Sequence, residues 1–210
     1  EIYNMTCTPV PHPILVDIPM PIRTPRLVIR NVIPGDGAAI HASKEETWDI
    51  LKKWMPFTVH GTGSISETEK VARENYAKFI LRTDMMMVAH TLASTSEQEL
   101  IACTGLHNLD WDVRSFSIGY WVRASAHNKG YATEIANALT RFAFGALGAR
   151  RLVITAATEN MASRRVIEKL GFVLESVSAY DSLLPDGTPT GTATYVRYNT
   201  DTLPPLDVAW

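Results

Sequence analysis

Residues 127–133, HNKGYAT, form a glycine turn that opens onto a helix, and this is where the chain could do chemistry. Such a turn presents unpaired N–H groups and the positive end of a helix dipole, which suits an anion and a pyrophosphate in particular. Gly130 stands where the backbone must come close to something. Apolar residues then recur at Ala132, Ile135, Ala136, Leu139, Ala143, Ala146 and Leu147, a helical stripe that anchors the turn. Residues 123–169 carry eight Lys or Arg against three Glu, a net +5, while the rest of the chain sums to −7. Local positive charge in a mildly acidic chain favours a polyanionic ligand there.

The elements that must position this turn are legible around it. Residues 118–122, IGYWV, alternate as a strand does. A strand at 151–156 and a second helix follow the first helix, with Asn160 at their junction and Gly171 where a helix stop is expected. Upstream, 26–30 reads as a first strand, 36–53 as a helix broken before Pro56, 61–64 as a loop and 67–81 as a helix. Strands at 85–93 and 100–109 are joined by a polar turn at 94–99, and 115–122 is the next strand. Strands at 172–180 and 192–199 are linked by LLPDGTPTG, a turn or flap. The pattern is α/β, one domain with a mixed, largely antiparallel sheet of six to seven strands flanked by helices. Six of the twelve prolines fall in the first 25 residues, so 1–23 reads as an extended arm, 24–200 as the domain and 201–210 as a tail.

The 210 residues are 46% apolar, enough for a sizeable core. A net charge of −2 argues against general nucleic-acid binding, and no apolar run approaches a membrane span. The first twenty residues lack the basic start and uninterrupted apolar stretch of a signal peptide. Cys7 and Cys103 fit no metal spacing and read as free thiols in a reducing cytoplasm, with a disulfide between them as the alternative. No metal is expected.

The order of IGYWV, HNKGYAT, NMAS and EKLGF resembles the GNAT superfamily of acyl-coenzyme A N-acyltransferases, most of all the Rim-type branch that modifies ribosomal-protein N-termini. RTPRLVIR, KKWMPF and LIACTGLHNLD are also similar to that branch. The resemblance implies acetyl-CoA as cosubstrate. It implies a pyrophosphate loop of Asn128, Lys129, Gly130, Tyr131, Ala132 and Thr133, and a splayed strand at 119–123, with Trp121 and Val122 as candidate contacts for the pantetheine arm. His127 stands where the family usually has Gln or Arg, and it can still donate a hydrogen bond. Asn160 is well suited as an N-cap, and the resemblance also places its amide against the pantetheine arm. Of the cations on the second helix, Arg164, Arg165 and Lys169, Arg165 is carried forward as a phosphate contact.

Acetyl transfer to an amine needs a polarised thioester carbonyl, a neutral amine and a proton donor for the leaving sulfur. Many family members place a tyrosine at the position of Ile167, which donates nothing. Ser163, one turn along from Asn160, is then the candidate donor or general acid. Relatives often have Glu at the position of Ser117. His107 is the candidate general base, with the right intrinsic pKa, and Asp110, Glu45 and Glu46 are the other candidates. Trp48, Trp54, Phe57 and Trp111 are candidates for an acceptor pocket or for core.

The expected activity is direct acetyl transfer to a primary amine, a protein N-terminus or a small molecule, in the cytoplasm. Exposed strand edges are compatible with a homodimer. The alternative is a catalytically weak coenzyme A-binding sensor or interaction module, for which Ser117 and Ile167 speak. A nucleotide-binding domain is disfavoured by the absence of a GKS/GKT loop and of GxGxxG.

Overall fold

The Ser64-x-x-Glu67 spacing produces a reciprocal helix start. Ser64 Oγ accepts the Glu67 N–H at 3.2 Å while Glu67 Oε2 accepts the Ser64 N–H at 2.7 Å. The helix that follows ends where Arg82 takes the left-handed conformation. The computed structural model describes residues 12–92 and 99–210; Cys7 and most of the polar turn expected at 94–99 lie outside the described residues.

In chain order the elements are β1 (Ile22–Arg23), β2 (Leu27–Asn31), α1 (Gly37–Trp54), α2 (Ile65–Leu81), β3 (Met85–Thr91), β4 (Leu100–Asp110) and β5 (Ser115–Val122). Then come α3 (Tyr131–Gly145), β6 (Arg151–Ala157), α4 (Met161–Lys169), β7 (Val173–Leu183) and β8 (Pro189–Arg197). The strands form one mixed sheet of eight in the order β1-β2-β3-β4-β5-β6-β8-β7. Every neighbouring pair is antiparallel except β5 with β6.

The strand beyond the expected range is β1, a two-residue edge concealed by the proline-rich composition around it. Ile22 is fully buried and pairs with Ile29, and Arg23 exchanges backbone hydrogen bonds with Ala209 at 2.7 and 3.0 Å. The last residue, Trp210, meets Phe142 edge-on at 5.6 Å. Residues on both sides of 24–200 therefore take part in the sheet and its packing. The link between the last two strands is a short turn. Leu183 pairs with Pro189, and Asp186 Oδ1 accepts the Thr188 N–H at 2.9 Å. β7 is exposed along its whole length at the sheet edge.

The period of two in the strands sorts side chains onto two faces. Met85, Met87, Leu106, Phe116 and Ile118 join Ile135, Leu139, Phe142 and Ile167 in the larger core, against α3 and α4. Val88, Cys103 and Trp121 turn to the other face and meet Ile40 of α1 and Ala72 of α2. Each fully buried Leu or Phe is worth roughly 1.5–3 kcal/mol relative to exposure. Gly37 lets α1 and α2 approach closely, since a Cβ there would lie 2.5 Å from the Glu69 Cα. Among the described residues no helix is long and apolar enough to cross a membrane.

Candidate active site

The parallel pairing of β5 with β6 stops early. Ser115, Phe116 and Ser117 pair with Arg151, Leu152 and Val153, and beyond them the strands separate. β5 stays bonded to β4 as far as Val122, and β6 stays bonded to β8 as far as Ala157. The Arg123 N–H donates to Ile101 O at 2.7 Å, and Trp121 lies opposite Cys103. Antiparallel alternation then turns the backbone groups of Tyr120 and Val122 away from β4 and into the gap. Of the two strand candidates, Val122 presents its N–H to the gap, its carbonyl being taken by His127. Trp121 faces β4 with its backbone and the smaller core with its ring.

At the open end of the gap lies the glycine turn. Asn128 and Gly130 take left-handed conformations, φ 60° and 80°, which aim successive N–H groups the same way. Among the described residues the N–H groups of 128–133 have no protein acceptor, as at a helix start generally, and they are therefore open to a ligand. A Cβ on Gly130 would meet only Arg26 Nη2, at 3.6 Å, so glycine is required there by backbone conformation and not by crowding within the protein. Tyr131 and Ala132 pack their side chains on the larger core, which leaves their N–H groups as what they offer a ligand. Thr133 is half-buried in the first turn of α3, and Lys129 is exposed. His127 turns inward. Its Nε2–H donates to the Val122 carbonyl at 2.7 Å and ties the end of β5 to the loop.

Two further side chains hold this loop. Arg26 donates from Nη1 to the Lys129 carbonyl at 3.0 Å and stacks its guanidinium 4.4 Å above the Tyr131 ring. Glu134, in the first turn of α3, accepts Thr24 Oγ1–H and Arg26 Nε–H, each at 2.6 Å. A buried glutamate inside an apolar stripe was the available signal, and charge counting alone misses it.

On the α3 and α4 side of the gap, Asn160 caps α4 by accepting the Ser163 N–H at 3.2 Å, leaving its own NH2 free to donate. Ser163 is half-buried, and its Oγ lies 3.2 Å from the Tyr120 phenol. Burial pushes the Tyr120 phenol up to about 12. Tyr120 sits inside the IGYWV run, but nothing in its spacing predicts that it spans the gap to α4. Ile167 is fully buried in the larger core. Arg164 is held by Tyr195 Oη at 2.9 Å and the Thr158 carbonyl at 2.9 Å. Arg165 is exposed and, among the described residues, has no ion pair.

On the opposite face, the His107 ring packs against Gly105 and Gly119, where added Cβ atoms would come within 2.9 and 3.0 Å of it. Its Nδ1 is 3.0 Å from both carboxylate oxygens of Asp84. A carboxylate only accepts, so Nδ1 carries the proton and Nε2 of the neutral ring keeps its lone pair. His107 is also the cross-strand neighbour of Ser117. Asp84 is a lone acid before a strand, with no motif to mark it.

The rival bases have other duties. Asp110 Oδ1 accepts the N–H groups of Asp112 and Val113, each at 3.1 Å, and so holds a turn. Glu46 accepts the Ser125 N–H at 2.8 Å and pairs with Arg123. Against desolvation, which raises it, those contacts hold the Glu46 carboxyl below the usual glutamate range. Glu45 is an exposed neighbour of His41. Of the aromatic candidates, Trp111 is core: it is buried edge-on against Phe116 at 5.1 Å, with its Nε1–H on the Arg82 carbonyl at 2.9 Å. Trp54 lines a cleft of about 530 Å3 with Thr58 and Val59, facing Leu184, Pro185 and Asp186 of the β7–β8 turn. Phe57 is exposed and Trp48 is half-buried on α1.

The sheet opens between its two parallel strands beside a helix start whose N–H groups, among the described residues, have no protein acceptor. Residues 26–173 match the acetyltransferase (GNAT) domain family, and the chain belongs to that family. It is an N-acetyltransferase. It is 40% identical to the putative ribosomal N-acetyltransferase YdaF of Bacillus subtilis (strain 168), over 77% of this chain and 85% of that one. In fold it is similar to Mycobacterium smegmatis RimJ in complex with CoA-disulfide, with a TM-score of 0.78, 22% identity and 91% of each chain covered. RimL, a ribosomal-protein alpha-N-acetyltransferase in complex with coenzyme A, gives 0.77 at 20% identity, covering 87% of this chain and 98% of that one.

Proposed function

We propose that the chain transfers the acetyl group of acetyl-CoA directly to a primary amine, with a protein N-terminus as the favoured acceptor. The observation that carries this reading is the end of the β5–β6 ladder at Ser117 and Val153, next to the free N–H groups of 128–133. The gap suits an extended arm that bonds to the backbone of Tyr120 and the N–H of Val122, and the loop suits its pyrophosphate. Asn160 offers its NH2 from the far side, and Lys129 and Arg165 offer charge. The kinship with YdaF supports an amine of a ribosomal protein as acceptor.

The two candidate catalytic side chains stand on opposite faces of the sheet. Leu106 belongs to the larger core, so His107, the next residue, faces α1 and α2, whereas Tyr120 and Ser163 lie on the side of α3 and α4. The amine nitrogen attacks the thioester carbon from the His107 side, and His107 Nε2 accepts the proton that the nitrogen loses. The C–S bond breaks and sulfur keeps the electron pair, stabilised by the Ser163 O–H. His107 releases its proton to solvent, and the thiolate takes one up, giving an acetamide and free coenzyme A.

The test is calorimetric titration with acetyl-CoA, with ATP and NAD as controls, followed by mass spectrometry of peptides with free N-terminal Ser or Ala. Micromolar binding of acetyl-CoA alone and a gain of one acetyl group support the proposal. The binding-module alternative is favoured by Ile167, which is sealed in the core and donates nothing. Binding without turnover of any amine would select it.

A further inference from the structure

We infer that Tyr120 is a positioning residue for the transfer step, holding the Ser163 hydroxyl so that its proton faces the leaving sulfur; this rests on the acetyl-transfer reading above. Tyr120 belongs to β5 and Ser163 to α4, the helix that follows β6, and the phenol ties the strand on one side of the gap to that helix. Its oxygen lies 3.2 Å from Ser163 Oγ and 3.5 Å from the Ser163 carbonyl. The Ser163 N–H is already bonded to Asn160 Oδ1 at 3.2 Å. Backbone and hydroxyl of the serine are therefore both fixed from outside.

A serine hydroxyl has one proton and two lone pairs. When the phenol donates into Oγ, the serine proton is left to point elsewhere, and the gap is where a hydrogen-bond acceptor would arrive. The opposite arrangement sends the serine proton to the phenol and leaves the phenol only the carbonyl, at the longer distance. Burial keeps the phenol protonated well above neutral pH, so it remains a donor throughout the working range. No bond to Tyr120 forms or breaks. Its effect is to orient the serine and, by polarising it, to strengthen what the serine donates.

A tyrosine that merely fills space between β5 and α4 would affect folding and not turnover, which sets the experiment. Tyr120→Phe, Ser163→Ala and the double variant are assayed with acetyl-CoA and peptides carrying a free N-terminal Ser or Ala. The expected result for Tyr120→Phe is a fall in kcat of about tenfold, with acetyl-CoA Kd within about twofold of wild type. In the Ser163→Ala background the same change should have no further effect. Unchanged kcat, or losses that multiply in the double variant, would overturn the role. If Tyr120→Phe does not fold, a fluorinated tyrosine at 120 replaces it. Its more acidic phenol should bring a loss of kcat at alkaline pH, and a profile like that of wild type would overturn the proposal. No acetyl transfer by the wild-type protein to either peptide or to any amine of a panel overturns the transfer reading and this inference together. Wild-type turnover with full activity in Tyr120→Phe overturns only the role of Tyr120.

Discussion

Arg26 and Glu134 are 108 positions apart, yet Arg26 Nε donates to Glu134 Oε2 at 2.6 Å and closes the base of the glycine turn. Glu134 is 8% exposed, and Thr24 donates to its other oxygen. The turn is thus held from the opposite end of the domain as well as by its own helix. Glu134→Gln keeps the shape and removes the charge. It should cost about 1.5–3 kcal/mol, read as a lowered denaturation midpoint, and should weaken coenzyme A binding through a loosened loop.

Gly130→Val forces a β-branched residue into φ 80°. The N–H groups around it would lose their common direction. Coenzyme A affinity should fall more than tenfold, beyond about 1.4 kcal/mol, while the fold is retained. Unchanged affinity in a calorimetric titration would remove the anion-site argument.

His107→Ala should lower kcat/KM by about 10²–10⁴-fold with acetyl-CoA affinity kept. Asp84→Asn leaves the imidazole in place but offers an amide that can donate as well as accept, so the Nδ1–H tautomer is no longer enforced. A smaller loss in the same parameter is expected. Equal kinetics in both variants and wild type would assign the proton to water.

Ser163→Ala should lower turnover more than acetyl-CoA affinity. Equal losses in kcat and in binding would make Ser163 a ligand contact instead of a donor to sulfur.

Much of this arrangement was legible in the chain. The stripe from Ala132 to Ala143 and the alternation of IGYWV are local signals, and local signals survive into the fold, whereas the loop read at 61–64 hid the Ser64 helix cap. What escaped were pairings between distant residues, such as Arg26 with Glu134, Asp84 with His107 and Tyr120 with Ser163. Spacing along the chain carries no mark of who will face whom across a sheet. β1 escaped for a different reason. Its partner residues, Ile29 and Ala209, lie on later segments, and a two-residue strand has no period to detect. The charge count over 123–169 overstated the free positive charge, since Arg123 pairs with Glu46 and Arg151 with Glu175.

Acid should reveal the Glu46 contact. Its carboxyl is held below the usual glutamate value in the folded protein, so the stability it contributes is fully present above that value. It is lost as pH falls through the lower folded-state value. Glu46→Gln should therefore flatten part of the acid limb of a denaturation profile and leave neutral-pH turnover close to wild type.

The early end of the β5–β6 ladder sets how fast amides along β5 exchange. An amide on the open edge with no acceptor among the described residues exchanges readily, so Val122 should lose protection long before Trp121, whose amide is turned to β4. An extended ligand lying along that edge acts as the missing strand. It should slow exchange at Val122 and raise the melting temperature in proportion to the logarithm of its concentration. Occupancy of that edge would then make the stability of the sheet follow the supply of the ligand.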